Sequence, residues 1–136
     1  MKHLDGKTLV GGQILPEQMQ ALAAQGVTTI VNNRPDFEAP NQPVSAALGA
    51  AAEAAGLAYH HIPVAGGFSQ DQVEAMAEAL AASSGKVVAF CLSGTRSTYL
   101  WALARAAQGA DADLLIAQAA AAGYDLRPIA NYLAPR

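Results

Sequence analysis

The sequence predicts an α/β fold, with a small, largely parallel sheet of four or five strands and helices on both faces. Short runs rich in β-branched residues alternate along the chain with alanine-rich stretches that carry leucine at helical spacing. The 136 residues, of which 52% are hydrophobic and 14% charged, suffice for one sizeable core but not for two ordinary domains. We therefore expect a single domain over residues 1–136.

The first half of the chain contains three predicted strands and two predicted helices. Proline and glutamate at positions 16 and 17 suit the first turn of a helix, and Gly26 and Gly56 are suited to end helices. The polar, proline-bearing residues 33–43 are expected to form a loop, and Ser45 is expected to cap the second helix. The predicted strands are residues 8–13, 27–32 and 57–63, and the predicted helices are residues 16–25 and 45–55.

The second half begins with a helix for which the sequence carries a clear start signal. Ser69 and Gln72 have the spacing of a capping box, and Ser83-Ser84-Gly85 is expected to end this helix. The next strand is predicted over residues 86–90, and a helix over residues 97–108. A further helix is expected to begin at Asp111 or Asp113 and to run to residue 121, before a short C-terminal helical piece.

Composition excludes several classes of function. A formal net charge of −3 with only eight basic residues argues against binding to nucleic acid or to an anionic membrane. No run approaches the ~18 apolar residues of a membrane span, and the first residues lack a signal-peptide core, so we expect a cytoplasmic protein. A single cysteine forms neither an internal disulfide nor, alone, a thiolate zinc site. His60 and His61 would point to opposite faces of a strand, and we expect no metal and no organic cofactor.

The single cysteine lies in the run that carries the strongest chemical signal. Between the strand ending at Phe90 and the following helix stands Cys91-Leu92-Ser93-Gly94-Thr95-Arg96-Ser97. Backbone amides converge at a helix N-terminus and favour an anion, and Arg96 adds a fixed positive charge. We expect these groups to lower the pKa of Cys91 and make it a reactive thiolate. Gly94 would allow the sharp turn, and the hydroxyl groups of Ser93, Thr95 and Ser97 could bond the sulfur or a bound oxyanion.

Three segments together suggest a family. With Asn32-Asn33-Arg34-Pro35-Asp36, Tyr59-His60-His61-Ile62-Pro63-Val64 and the Cys91 loop followed by Leu100-Trp101-Ala102-Leu103, the chain resembles the phosphatase-like domain of the bacterial beta-lactamase-hydrolase-like family. That family is similar to the dual-specificity protein tyrosine phosphatases. The resemblance implies their α/β fold, a cysteinyl-phosphate intermediate and no metal. Some members of the family are labelled sulfur transferases.

Two departures from the phosphatase motif bear on the chemistry. The motif has His-Cys, five residues and arginine, whereas here Phe90 precedes the cysteine and four residues separate Cys91 from Arg96. The shorter loop resembles that of rhodaneses, which carry a persulfide. The aspartate expected after the strand matching residues 59–64 is also missing, since residues 65–68 are Ala-Gly-Gly-Phe. We predict Asp36 as the general acid, with Glu38 as the alternative, and Arg34 and Glu38 as possible substrate contacts.

Three functions remain open on this evidence. We favour a cysteine-dependent phosphatase acting on a phosphorylated protein or a small-molecule phosphoester, with Cys91, Arg96 and Asp36 as catalytic residues. The alternative is a rhodanese-like sulfurtransferase, in which Cys91 takes a sulfane sulfur from a donor and passes it to a thiol acceptor. A module that binds anions without catalysis is the third. The sequence does not identify the physiological substrate or the oligomeric state.

Overall fold

The protein is described here by a computed structural model covering residues 1–134, and its centre is a five-stranded sheet. The strand order is β1-β2-β5-β3-β4, in which β1 runs antiparallel to β2 and the other neighbours are parallel. The α/β class with a largely parallel sheet is therefore confirmed. The strands are β1 Lys2–His3, β2 Thr8–Gly11, β3 Val27–Asn32, β4 Ala58–His61 and β5 Lys86–Phe90.

Helices cover both faces of the sheet, as predicted. The α-helices are α1 Met19–Ala24, α2 Ser45–Ala54, α3 Gln70–Ala82, α4 Thr95–Ala107 and α5 Ala112–Ala121, and 3-10 helices span Pro16–Gln18 and Arg127–Tyr132. Side chains of β5 alternate between two cores. Val87 and Ala89 pack with α3, α4 and α5, whereas Val88 and Phe90 pack with α1 and α2. This period-2 alternation follows from strand geometry and explains why β5 is apolar at nearly every position.

Several predicted boundaries differ from the structure for local reasons. The first helix is divided into a 3-10 turn and the short α1. Ser45 is not the N-cap of α2, because Val44 takes that position and the Ser45 hydroxyl lies 2.7 Å from the Tyr59 hydroxyl. Helix α4 begins two residues earlier than predicted, directly after Gly94. The antiparallel strand β1 was not predicted, since two residues carry no periodicity.

Other start signals are confirmed. Ser69 and Gln72 form the capping box of α3, in which the Ser69 hydroxyl accepts from the Gln72 amide at 3.1 Å. Asp111 is the N-cap of α5 and accepts from the Leu114 amide at 3.0 Å. Among the described residues, no helix combines the length and the apolar character that a bilayer span requires.

The sheet register brings three strand ends together at one edge. Phe90 of β5 pairs with Asn32 of β3 and with Gly11 of β2, so the chain leaves all three strands at the same level. Cys91 follows the central strand of these three. The loop after β3 and the turn after β2 therefore flank the Cys91 loop, at the carboxyl edge where open α/β sheets bind their ligands.

Candidate active site

Cys91 lies at the end of β5, buried beneath the loop that leads into α4. Its side chain is 1% exposed, and its backbone amide donates to the Gly11 carbonyl at 3.3 Å. Gly94 turns the chain with φ 96° and ψ −11°, a left-handed conformation that favours glycine. The turn directs the Gly94 amide to the Cys91 sulfur at 3.1 Å. Thr98 then holds the Gly94 carbonyl through its amide at 2.9 Å and its hydroxyl at 2.8 Å.

The pKa of Cys91 lies below its ordinary value of 9.0, although burial acts strongly in the opposite direction. Burial raises the pKa, while hydrogen bonds from Ser97 and from the backbone amides of Gly94 and Ser93 lower it and prevail. The Ser97 hydroxyl has a single proton and donates it to Asn33 Oδ1 at 2.8 Å. Because this proton is engaged with Asn33, we take the Ser97 backbone amide as the main donor from Ser97 to the sulfur. The backbone amides of Ser93, Gly94 and Ser97 together stabilise the thiolate.

Arg96 has its guanidinium plane fixed by three hydrogen bonds. Nη1 donates to Glu38 Oε2 at 2.7 Å and to the Val64 carbonyl at 2.8 Å, and Nη2 donates to Glu38 Oε1 at 3.0 Å. Of the five N–H groups, these bonds leave the Nε–H and one Nη2–H, which share one edge of the plane. Such an edge is the fork that binds two oxygens of a phosphate.

Glu38 lies between two guanidinium groups. Arg34, only 5% exposed, donates from Nε to Glu38 Oε1 at 2.9 Å and from Nη1 to Gln13 Oε1 at 3.0 Å. Hydrogen bonds from Arg96 lower the pKa of Glu38 most, partial burial opposes them, and Arg34 lowers it further. The net pKa lies below the ordinary value of 4.5, so Glu38 is ionised at neutral pH and keeps both arginines in place.

Asp36 is tied to a different part of the molecule. Its Oδ1 accepts from the Ser45 amide at 2.8 Å, at the start of α2. This bond satisfies one of the helix's free N-terminal donors, and it connects the loop after β3 to α2 rather than to Cys91. Within residues 1–134, Glu38 is the carboxylate that contacts the Cys91 loop. The role of Asp36 as general acid stays a prediction.

The remaining loop residues have distinct environments. Leu92 is 61% exposed, and the Ser93 and Thr95 hydroxyls lie 3.2 Å apart on the exposed side of the loop. Ser97 is fully buried, and its hydroxyl donates to Asn33 Oδ1. Asn33 in turn donates to the Ile62 carbonyl at 2.9 Å. Ser97 and Asn33 thus join the Cys91 loop to Ile62, the residue directly after β4.

Sequence reasoning missed two residues near the loop, Gln13 and Tyr124. Gln13 binds Arg34. Gly12 lies so close to the Leu92 carbonyl that a Cβ atom there would approach it to 2.8 Å, as expected for a glycine pair that marks a turn or a close backbone approach. Tyr124 donates from its hydroxyl to the Ser93 carbonyl at 3.0 Å. No local signal marks Tyr124, because its partner lies 31 residues away.

Three further observations delimit the site. Over the described part of the chain, no group of three or more His, Cys, Asp and Glu side chains is arranged to hold a metal ion. His61 uses its Nε2 on the Arg34 carbonyl at 2.9 Å, which is a structural contact. A groove of about 810 Å³ opens beside α3 and α4, with Phe68, Leu103 and Leu133 among its lining residues. None of the residues that line it belongs to the Cys91 loop.

Comparison with known proteins gives consistent matches. Residues 1–108 match the family described as beta-lactamase hydrolase-like protein, phosphatase-like domain. The beta-lactamase hydrolase-like protein of Xylella fastidiosa strain Temecula1 is 36% identical over 132 residues, which make up 96% of this chain and 31% of that protein. This chain therefore spans about a third of the length of that curated relative.

Solved structures share the fold. A crystal structure from Neisseria meningitidis Z2491, of a protein described as a candidate phosphatase, is 33% identical with a TM-score of 0.80 and covers 97% of this chain and 94% of that one. The structure of PTPMT1 has a TM-score of 0.73 at 14% identity, and the match covers 97% of this chain and 90% of that one. At that identity the likeness concerns the fold alone, which is that of protein tyrosine phosphatases.

Proposed function

The chain belongs to the phosphatase-like domain family of beta-lactamase hydrolase-like proteins, and from that premise we propose that it is a cysteine-dependent phosphatase. In this proposal Cys91 forms a cysteinyl-phosphate intermediate. The substrate is a phosphorylated protein or a small-molecule phosphoester. Family membership supports a phosphatase-type function, whereas the mechanism and the substrate class are argued from this chain's own residues.

The observation that carries the proposal is the free edge of Arg96. Glu38 and the Val64 carbonyl occupy the other donors, which leaves a two-pronged N–H edge. A hydrogen bond and a charge interaction with the Cys91 thiolate contribute to raising the pKa of Arg96, after the larger effect of Glu38. An anion with several oxygens, bound over the sulfur, would receive this fork together with loop amides.

The proposed reaction has two steps. The Cys91 thiolate attacks phosphorus, the ester P–O bond breaks, and the leaving oxygen takes up a proton. Water then attacks the cysteinyl-phosphate, the S–P bond breaks, and inorganic phosphate leaves while Cys91 returns to the thiolate. Arg96 and the loop amides would hold the equatorial oxygens in both steps.

The source of the proton for the leaving group is the weakest step of this proposal. Glu38 is ionised and occupied by two arginines, so it holds no proton to donate. Asp36 would have to release the Ser45 amide to act as the acid. Aryl phosphates, whose phenolate leaving group has a pKa of about 10 or less, depend less on a proton donor than alkyl phosphates do. We therefore expect aryl phosphates to be the better substrates.

The test compares two reactions on the same protein. Para-nitrophenyl phosphate reports phosphatase turnover as nitrophenolate, and thiosulfate with cyanide reports sulfur transfer as thiocyanate. Cys91→Ser is the control for the nucleophile and Arg96→Lys for the bidentate fork, because lysine keeps the charge without the planar edge. Cys91-dependent nitrophenolate release that falls steeply in Arg96→Lys supports the proposal, and thiocyanate alone would overturn it.

A sulfurtransferase is the second candidate, because the Gly94 amide donates to the sulfur atom itself at 3.1 Å, and hydrogen bonds from the Ser97 and Ser93 amides also lower the pKa of Cys91. In that reaction the Cys91 thiolate attacks the outer sulfur of thiosulfate, the S–S bond breaks, and sulfite leaves. An acceptor such as cyanide then takes the sulfur and restores the thiolate. Mass spectrometry of the protein after thiosulfate alone would detect this function as one added sulfur atom, absent in Cys91→Ser.

A further inference from the structure

Tyr124 reaches the Cys91 loop from the far end of the chain. It follows α5, lies outside the residues that match the family, and donates from its hydroxyl to the Ser93 carbonyl at 3.0 Å. The amide of the same peptide unit, that of Gly94, donates to the Cys91 sulfur at 3.1 Å. One peptide group therefore connects the phenol to the sulfur through two successive hydrogen bonds.

We propose that Tyr124 is a positioning residue of the Cys91 loop, whose phenol holds the Ser93–Gly94 peptide group with its N–H directed at the Cys91 sulfur. In a trans peptide the C=O and N–H bonds point in opposite directions, and the described chain has no cis peptide bond. A donor on the carbonyl therefore fixes the direction of the N–H. It also polarises the peptide group, because hydrogen bonds in a chain strengthen one another.

The packing around Gly94 supports this role. A Cβ atom on Gly94 would overlap the Tyr124 hydroxyl and come within 2.9 Å of Tyr124 Cζ, so the phenol lies directly on the glycine. Thr98 bonds the Gly94 carbonyl, which belongs to the next peptide group. Gly94, whose amide bonds the sulfur, is thus held by the Tyr124 ring and by the N-terminal turn of α4.

Tyr124 is itself held firmly. Its amide donates to the Ala119 carbonyl at 2.8 Å, the Tyr99 hydroxyl donates to the carbonyl of the next residue, Asp125, at 2.9 Å, and Leu126 is fully buried. Partial burial and the nearby Cys91 charge raise the pKa of Tyr124 above its ordinary value. The phenol therefore keeps its proton throughout the neutral range and remains a donor.

The inference rests on the proposed function only in taking Cys91 as the nucleophile. Either a phosphate or a sulfane sulfur on Cys91 would require the same thiolate. The charged and titratable groups that act on the sulfur are Arg96 from α4 and Tyr124. Glu38 and Arg34 lie behind Arg96 on the loop after β3, and His61 of β4 contacts the Arg34 carbonyl. Apart from Tyr124 itself, none of these groups is altered in the test below.

The test measures Cys91 titration in Tyr124→Phe, with Tyr132→Phe as the matched control. Both variants remove one phenol hydroxyl, but Tyr132 is 66% exposed and lines the groove beside α3 and α4, to which no residue of the Cys91 loop contributes. Cys91 is the single cysteine of the chain, so the pH dependence of alkylation by iodoacetamide reports its thiolate alone. We expect the midpoint to rise by about half a unit to one unit in Tyr124→Phe and to stay at the wild-type value in Tyr132→Phe.

The role of Tyr124 can be disproved without disproving the proposed function, because alkylation requires neither a phosphoester nor a sulfur donor. A midpoint that moves equally in both variants, or in neither, would overturn the role of Tyr124. The fluorescence of Trp101, the single tryptophan, verifies that each variant is folded before titration. As a second readout, the Gly94 amide proton resonance is expected to move upfield in Tyr124→Phe alone, because its hydrogen bond to the sulfur weakens. An unmoved resonance would count against the proposal even if the midpoint had shifted.

Discussion

Burial and hydrogen bonding act on the Cys91 sulfur in opposite directions. The side chain is almost completely buried, which disfavours the thiolate, but amides of Ser93, Gly94 and Ser97 reverse this effect. A lowered pKa of Cys91 requires these amides to point at the sulfur before any substrate binds. At the scale of single residues, the site therefore depends on the groups that orient the loop as much as on the nucleophile.

Glu38→Gln is expected to lower kcat/KM for para-nitrophenyl phosphate by about 10- to 100-fold, since a charge-assisted hydrogen bond contributes about 1.5–3 kcal/mol. The neutral amide cannot accept two hydrogen bonds from Arg96 and one from Arg34 with equal strength, so the Arg96 fork loses its orientation. Steady-state kinetics measure the effect. Glu74→Gln, which changes an exposed carboxylate bonded to Gln70 on α3, is the control. Equal kinetics in both variants would show that Arg96 does not need Glu38.

Gly94→Ala is expected to destabilise the protein by about 1–3 kcal/mol, because alanine is strained at positive φ and its Cβ overlaps the Tyr124 hydroxyl. Urea unfolding followed by Trp101 fluorescence measures the change. Gly67→Ala is the control, since no atom lies within 4 Å of the added Cβ. That variant should remain within about 0.5 kcal/mol of wild type. Similar midpoints for the two variants would contradict the tight packing at Gly94.

At the scale of elements, the site is assembled from four segments, which follow β2, β3, β4 and β5 at the same edge of the sheet. The Cys91 loop supplies the nucleophile and Arg96, the loop after β3 supplies Glu38 and Arg34, and the turn after β2 supplies Gln13. The segment before α3 adds the Val64 carbonyl. Each segment is attached to a helix or strand close to its contact, so the geometry is set before substrate binds.

Ser69→Ala tests how α3 holds the segment after β4. Loss of the N-cap hydroxyl removes a hydrogen bond to the Gln72 amide and should cost about 1 kcal/mol of stability. Gln72 also donates to the Pro63 carbonyl at 2.9 Å, next to the Val64 carbonyl that binds Arg96. Chemical unfolding measures the cost, and Asp71→Asn in the same turn should lose only a few tenths of a kcal/mol. A larger loss of stability in Asp71→Asn than in Ser69→Ala would mean that charge, not capping, stabilises the N-terminus of α3.

At the scale of the whole molecule, the central strand β5 connects the two hydrophobic cores to the reactive cysteine. Strand β5 contributes alternate side chains to both cores and ends at Phe90, directly before Cys91. The nucleophile is therefore anchored to the most buried part of the protein, while the groups around it come from loops. A change in the protonation of Cys91 must accordingly appear in the global stability.

Wild type is expected to gain stability over Cys91→Ser as the pH rises. The pKa of Cys91 in the folded protein lies below the ordinary 9.0, so between these two values the unfolded chain binds the proton more tightly than the folded one. The difference in free energy of unfolding between wild type and Cys91→Ser should be constant below the pKa of Cys91 in the folded protein. Above that pKa the difference should grow, up to about pH 9. Urea unfolding at several pH values measures it, and a difference that is constant or shrinks with pH would contradict a lowered pKa.

The α/β alternation, the capping box at Ser69 and the Cys91 loop with Arg96 could all be predicted from the order of residues. Each of these signals lies within a few residues, where propensity, capping and helix-terminus electrostatics operate directly. The distant groups that meet the Cys91 loop could be identified from the folded chain alone. Glu38 and Tyr124 reach it across 58 and 31 residues, and Asp36, two residues from Glu38, turns to α2 instead. Such contacts depend on strand register and packing between elements, which a linear pattern does not contain.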